Sequence, residues 1–123
     1  MPDPHAAAAS RRPLAVTIVG GLYILVGVAG LAYHLGGFKP HPFPWGLLAI
    51  ELVRVLAVVA GIYILRGDNW ARWLALAWMA FHVGISMLNG WEPVVMHAVF
   101  LVLISFLLLR RASTEYFLPT ATA

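Results

Sequence analysis

Four long apolar stretches, separated by short runs of glycine, proline and polar residues, make up most of the chain. Crossing the hydrocarbon of a bilayer takes roughly 20 apolar residues in a helix. The pattern predicts four such helices, at about residues 14 to 35, 45 to 65, 70 to 89 and 93 to 109. The punctuation fits those limits: Pro13 and Pro93 suit a first helical turn, where a missing N–H costs nothing, and Gly36-Gly37 and Asn89-Gly90 suit a helix end. Asp68 or Asn69 is placed to cap the third helix, with Trp70 and Trp73 near its interfacial end. The connections "GGFKPHPFPW", "RGDN" and "NGWE" are short, which makes neighbouring helices antiparallel. The expected architecture is therefore all-α: a single membrane domain built as an up-down-up-down four-helix bundle, with residues 1–12 and 118–123 as flexible tails.

Composition narrows the class. Of the 123 residues 62% are hydrophobic and 11% charged, and the mean hydropathy is +0.86, too apolar for a domain whose surface meets water. The absence of cysteine excludes disulfides, thiolate metal sites and thiol redox chemistry. A net charge of +3 does not imply nucleic acid, because the basic residues fall at the ends of apolar runs rather than in one patch. With the N-terminus in the cytoplasm, Arg11, Arg12, Arg66, Arg72, Arg110 and Arg111 lie on the inner side and Lys39 outside, the bias of bacterial insertion. Both termini are thus expected in the cytoplasm, and the protein in the bacterial inner membrane. The twin-arginine look of "SRRPLAV" is set aside, since the apolar run is longer than a signal's and no soluble cargo follows. The prolines of the first connection favour an extended path, with Phe38, Phe43 and Trp45 at headgroup level.

Lipid gives helices no hydrophobic reason to associate, so packed faces need small residues. Gly20, Gly27 and Gly30 share one face of the first helix, and Ala57 with Gly61 and Ala80 with Gly84 form small pairs on the second and third. On the same spacing His34 joins the packed face of the first helix, and Glu51 and Arg54 that of the second. Counting about 1.5 Å per residue, Glu51 and His82 lie on the order of 10 Å inside the outer ends, His97 roughly 6 Å inside, and His34 near the boundary. Ser86 and Asn89 extend the face of His82 toward the outer surface, whereas Leu, Val, Ile and Phe line the inner half.

An uncompensated charge at such depth costs several kcal/mol. Glu51 and Arg54, one turn apart, are therefore expected to neutralise each other or to serve a histidine network. His82 and His97 read either as interhelical hydrogen-bonding groups or as contacts to haem, a metal ion or a quinone, with Glu51 as a further metal-ligand candidate. His34 reads as a solvated end-of-helix residue, and His41 and His5 carry no assigned role. Met79, Met87 and Met96 suit packing better than copper, and Trp78 stands near mid-span. No HExxH, phosphate loop, serine elbow or paired Glu-x-x-His occurs.

"RPLAVTIVGGLYILVG", "RGDNWARWLALAWMAFHV" and "RRASTEYF" resemble a group of small four-span bacterial membrane proteins of unknown function. The resemblance rests on Arg12, Pro13 and Leu14 at the first helix, Asn69 through Trp73 before the third, and Tyr116 and Phe117 after the fourth. It covers most of the chain and implies the four-span fold. A more distant similarity to DoxX-type four-helix membrane proteins implies a redox association. The favoured expectation is a non-enzymatic accessory or structural subunit without cofactor, packing against lipid, partner helices or further copies of itself. The alternative is a histidine-lined site for haem, a transition metal or a quinone in the outer half. A transporter is disfavoured because a polar path confined to one half leaves the other closed.

Overall fold

The computed structural model describes residues 11–37, 42 and 44–119, which form five helices and no strand. They are α1 (Leu14–Leu35), α2 (Trp45–Arg66), α3 (Asn69–Ser86), α4 (Trp91–Leu109) and a short α5 (Arg111–Phe117). Three of them, α1, α2 and α4, are long and apolar enough to cross a membrane. Helix α3, with 18 residues, is not in that set; Asn69, Arg72 and His82 dilute its apolar character. Phe38, Lys39, His41 and Phe43 of the first connection and His5 of the N-terminal tail lie outside the described residues.

Backbone chemistry explains the helix limits. Helix α1 begins after Pro13, whose carbonyl accepts the N–H of Thr17 at 3.1 Å. Helix α2 ends in a Schellman arrangement: Gly67 adopts φ 86°, its N–H bonds the Ile64 carbonyl, and Asp68 N–H bonds that of Tyr63, each at 3.0 Å. Asp68 then sits at the N-cap of α3, with no cap bond from its side chain. Helix α3 stops at Ser86 rather than near 89, because the N–H groups of Met87, Leu88 and Asn89 each bond the carbonyl three residues back and tighten the chain. Gly90 follows at φ 114°, a conformation that side chains disfavour. Helix α4 begins at Trp91, so Pro93 is its third residue, still inside the turn whose N–H groups have no helical partner.

The helices pair as α1 with α2, α2 with α3, α3 with α4, and α1 with α4, the first interface being the most extensive. It is glycine-mediated. A Cβ on Gly61 would come 2.6 Å from the Gly20 carbonyl oxygen, and one on Gly27 would come 2.9 Å from that of Arg54. Ala57 and Gly61 are buried in this seam. On α3 the packed small residues are Ala71 and Ala75, both fully buried. Ala80 and Gly84 differ from expectation: both are exposed, and nothing lies within 4 Å of a Cβ added at Gly84. The pair stands around the helix from the buried Ala71–Ala75–Met79 row.

The closely packed core consists of Val16, Val19, Tyr23, Ala57, Ala60, Ile64, Ala71, Ala75, Met79, Ile104, Leu108 and Phe117. It occupies the half built from the start of α1, the end of α2, the start of α3 and the end of α4. Helix α5 closes that end, where Tyr116 OH donates to the Leu65 carbonyl at 2.7 Å and Phe117 is buried. The half-buried histidines and Glu51 lie at the opposite, looser end.

Candidate functional site

The polar residues gather into two clusters on different helix pairs. Between α1 and α2, His34 Nδ1 meets Glu51 Oε1 at 2.8 Å, with the two side chains 25% and 16% exposed. Of the two expected arrangements, mutual neutralisation with Arg54 or service to a histidine, Glu51 adopts the second. Helical side chains lean toward the N-terminus of their helix, which carries the Glu51 carboxylate toward the C-terminal turn of α1, where His34 stands. The Arg54 guanidinium instead lies over Gly30, in space only a glycine leaves open. Glu51 Oε2 and Arg54 Nη1 are both buried without a hydrogen bond, so this cluster has one acceptor and one donor in reserve.

The second cluster joins α3 and α4. His97 Nδ1 lies 2.7 Å from the Pro93 carbonyl oxygen and 2.9 Å from Ser86 Oγ. His82 Nδ1 lies 2.9 Å from the Trp78 carbonyl. A carbonyl oxygen only accepts, so in both neutral rings Nδ1 carries the hydrogen and Nε2 the lone pair. The Ser86 hydroxyl donates to the His82 carbonyl at 2.7 Å, leaving its oxygen to accept from His97. The rings of His82 and His97 are 5.9 Å apart between centroids, and His82 stacks on Trp78 at 3.8 Å. Asn89 does not join them: it is exposed and its Nδ2 donates to the Ile85 carbonyl at 3.2 Å. The early end of α3 breaks the helical spacing that would have aligned Asn89 with His82.

Glu51, His82 and His97 were grouped as metal candidates, but the structure gives Glu51 to His34 on one helix pair and the two imidazoles to another. Among the described residues no three His, Asp or Glu side chains are arranged to hold a metal ion. An imidazole with Nδ1 fixed by its own helix and Nε2 unpaired suits hydrogen bonding from a ligand as well as it suits metal ligation.

A third polar cluster is not foreseen by the sequence, in which Arg72 reads as a topology signal and the inner half as lined by Leu, Val, Ile and Phe. Arg72 is only 4% exposed. Its Nη1 donates to the Leu108 carbonyl at 3.4 Å and to Thr114 Oγ1 at 3.2 Å. Its guanidinium carbon lies 5.4 Å from the ring centres of both Trp73 and Phe117. Ser113, also buried, donates to the Leu107 carbonyl. The available signal was the polar, aromatic-ended "RASTEYF" beside a chain end read as tail. The chain matches no family model, no curated protein and no solved structure.

Proposed function

We propose that the protein is a small non-enzymatic subunit of the bacterial inner membrane. In this reading its four long helices span the bilayer up-down-up-down, and it serves by packing against a partner helix or a second copy. The observation that carries the proposal is where polarity is placed. His34 faces Glu51 and His82 faces His97 at helix seams, and Arg54 and Arg72 turn into seams, while the outward faces are apolar, as along Trp91, Val95, Val99, Val102 and Leu103 of α4. Several pairings support the topology: Gly20 with Gly61, His34 with Glu51, Tyr63 with Trp70, and Arg72 with Leu108 each join the start of one helix to the end of another. Those pairings gather Arg11, Arg12, Arg66, Arg110 and Arg111 at one end, which supports a cytoplasmic reading of that end. The resemblance to small four-span bacterial proteins agrees with this.

Because the chain has no cysteine, single cysteines at Gly37, Asn89 and Glu115 report topology without background. A membrane-impermeant maleimide added to intact cells should label the first two and spare the third. Native mass spectrometry of gently extracted protein then tests the role. The expected mass is that of a complex with a companion chain or a second copy. A lone chain carrying a visible cofactor, whose spectrum is lost in both His82→Ala and His97→Ala, would replace this reading with a redox site.

A further inference from the structure

A groove of about 250 Å³ runs between α1, α3 and α4. Its wall includes Leu22, Tyr23 and Val26 of α1, Trp78 of α3, and His97 and Phe100 of α4. Leu22, Val26 and Phe100 are exposed and form its mouth, while Tyr23 is buried at its floor. In a bilayer the mouth opens sideways into acyl chains.

The polar groups of this wall are committed, with one exception. The Tyr23 hydroxyl donates to the Ala75 carbonyl at 2.7 Å, and Trp78 Nε1 donates to the Val53 carbonyl at 2.7 Å. His97 has turned Nδ1–H back to Pro93 and Ser86, so the edge bearing Nε2 is the part of the ring left for the groove. That atom is an acceptor with no partner among the described residues. A dry groove with one unpaired acceptor favours an apolar ligand with one donor, since an acceptor buried without a partner is costly. The wall is also aromatic: Tyr23 and Trp78 are 5.4 Å apart between ring centres, and Trp78, His82 and His97 follow in a continuous series. Such a wall favours a flat ring. The volume is below the roughly 300–1,000 Å³ of sites that enclose drug-sized ligands, so it takes a single ring and leaves any tail in the hydrocarbon.

We infer that this groove binds a membrane-dissolved aromatic alcohol, in the simplest case an alkyl phenol. Its hydroxyl donates to Nε2 of His97 and its ring lies against Trp78 and Phe100. The inference rests on the membrane placement proposed above but not on the role as a subunit.

The test uses the full chain in lipid nanodiscs, titrated with 4-octylphenol and with 4-octylanisole, the methyl ether that has no donor. Saturable quenching of tryptophan fluorescence is read against partitioning into empty discs. The phenol should bind roughly tenfold more tightly than the ether, the worth of one hydrogen bond. His97→Phe keeps a ring in place and should lower phenol affinity to that of the ether, leaving the ether unchanged. Val26→Trp fills the groove from α1, away from the histidines, and should abolish saturable binding of both. Equal affinities for phenol and ether in the wild type, or phenol binding that survives Val26→Trp, would overturn the inference. Neither readout depends on a companion chain, so this site and the subunit role fail separately.

Discussion

Glu51 is bonded to His34 across the α1–α2 seam at 2.8 Å and leaves Arg54, one turn away on its own helix, without an ion pair. The acid therefore ties two helices together rather than decorating one. The seam beneath it is closed by Gly27 and Gly30, so this contact lies where the two backbones come closest to the looser end of the molecule.

His34 and Glu51 should be energetically coupled. Removing either one strands a half-buried partner, which costs about 1–3 kcal/mol, whereas removing both strands neither. In a double-mutant cycle with Glu51→Ala and His34→Ala, the double variant should lose less stability than the sum of the singles. Thermal unfolding in detergent measures this, and strictly additive losses would mean the contact contributes nothing.

Alanine should separate a glycine that packs from one that does not. At Gly61 the added methyl meets the Gly20 carbonyl oxygen at 2.6 Å and the Ile24 backbone nitrogen at 3.0 Å, atoms that move only if a helix moves. Overpacking of this kind costs about 1–3 kcal/mol. At Gly84 the methyl meets nothing, and alanine's higher helix propensity should stabilise by roughly 0.5–1 kcal/mol. If Gly84→Ala instead dissociates a complex seen by native mass spectrometry, then the exposed Ala80–Gly84 face belongs to an interface with another chain.

Local features were legible and cross-chain ones were not. The starts and ends of α1 and α2 followed from apolar runs, from Pro13 and Gly36, and from the short connection "RGDN", because these act on the backbone within one turn. Helix α5 lies in a segment to which the sequence assigns no element, since seven residues cannot hold a helix by propensity; burial of Phe117 and the Tyr116 bond to Leu65 hold it. The choice of His34 over Arg54 by Glu51 depends on the register of α1 against α2, and the burial of Arg72 on where α5 lands. A single sequence carries neither. The outward placing of Ala80 and Gly84 has the same origin: small spacing marks a face that can pack, and the neighbours decide whether it does.

Arg72 should respond to the shape of its replacement more than to loss of charge. Among the described residues it has no acidic partner, and its Nε is buried without a hydrogen bond. Replacing a buried ion with an apolar residue of similar length is often neutral or stabilising. Arg72→Met should therefore stay within about 1 kcal/mol of wild type, while Arg72→Ala, which also removes the stem packed on Phe117, should lose about 2–4 kcal/mol. The maleimide pattern should be unchanged in both, because Arg11, Arg12, Arg66, Arg110 and Arg111, on which the proposed orientation rests, are kept.

Tyr116 and Gly67 form the other half of the same closure. The Tyr116 hydroxyl bonds Leu65 at 2.7 Å, and its ring passes 3.1 Å from where a Cβ on Gly67 would stand. Tyr116→Phe removes one neutral bond to a carbonyl at a helix end, where water or headgroups can replace it, so the loss should be about 0.5–1 kcal/mol. Gly67→Ala adds two penalties, since φ 86° is strained for a side chain and the methyl presses on the tyrosine ring. Its loss should exceed that of Tyr116→Phe, and part of it should return in Gly67→Ala with Tyr116→Ala, which clears the ring away. Limited proteolysis reads the local effect: cleavage after Arg110 or Arg111 should accelerate in Gly67→Ala, because the methyl displaces the tyrosine that docks α5, and should stay fast in the double variant, which lacks that tyrosine. Faster cleavage in both the single and the double variant would show that α5 is held by its tyrosine. Equal resistance in wild type and Gly67→Ala would show that α5 does not depend on this turn.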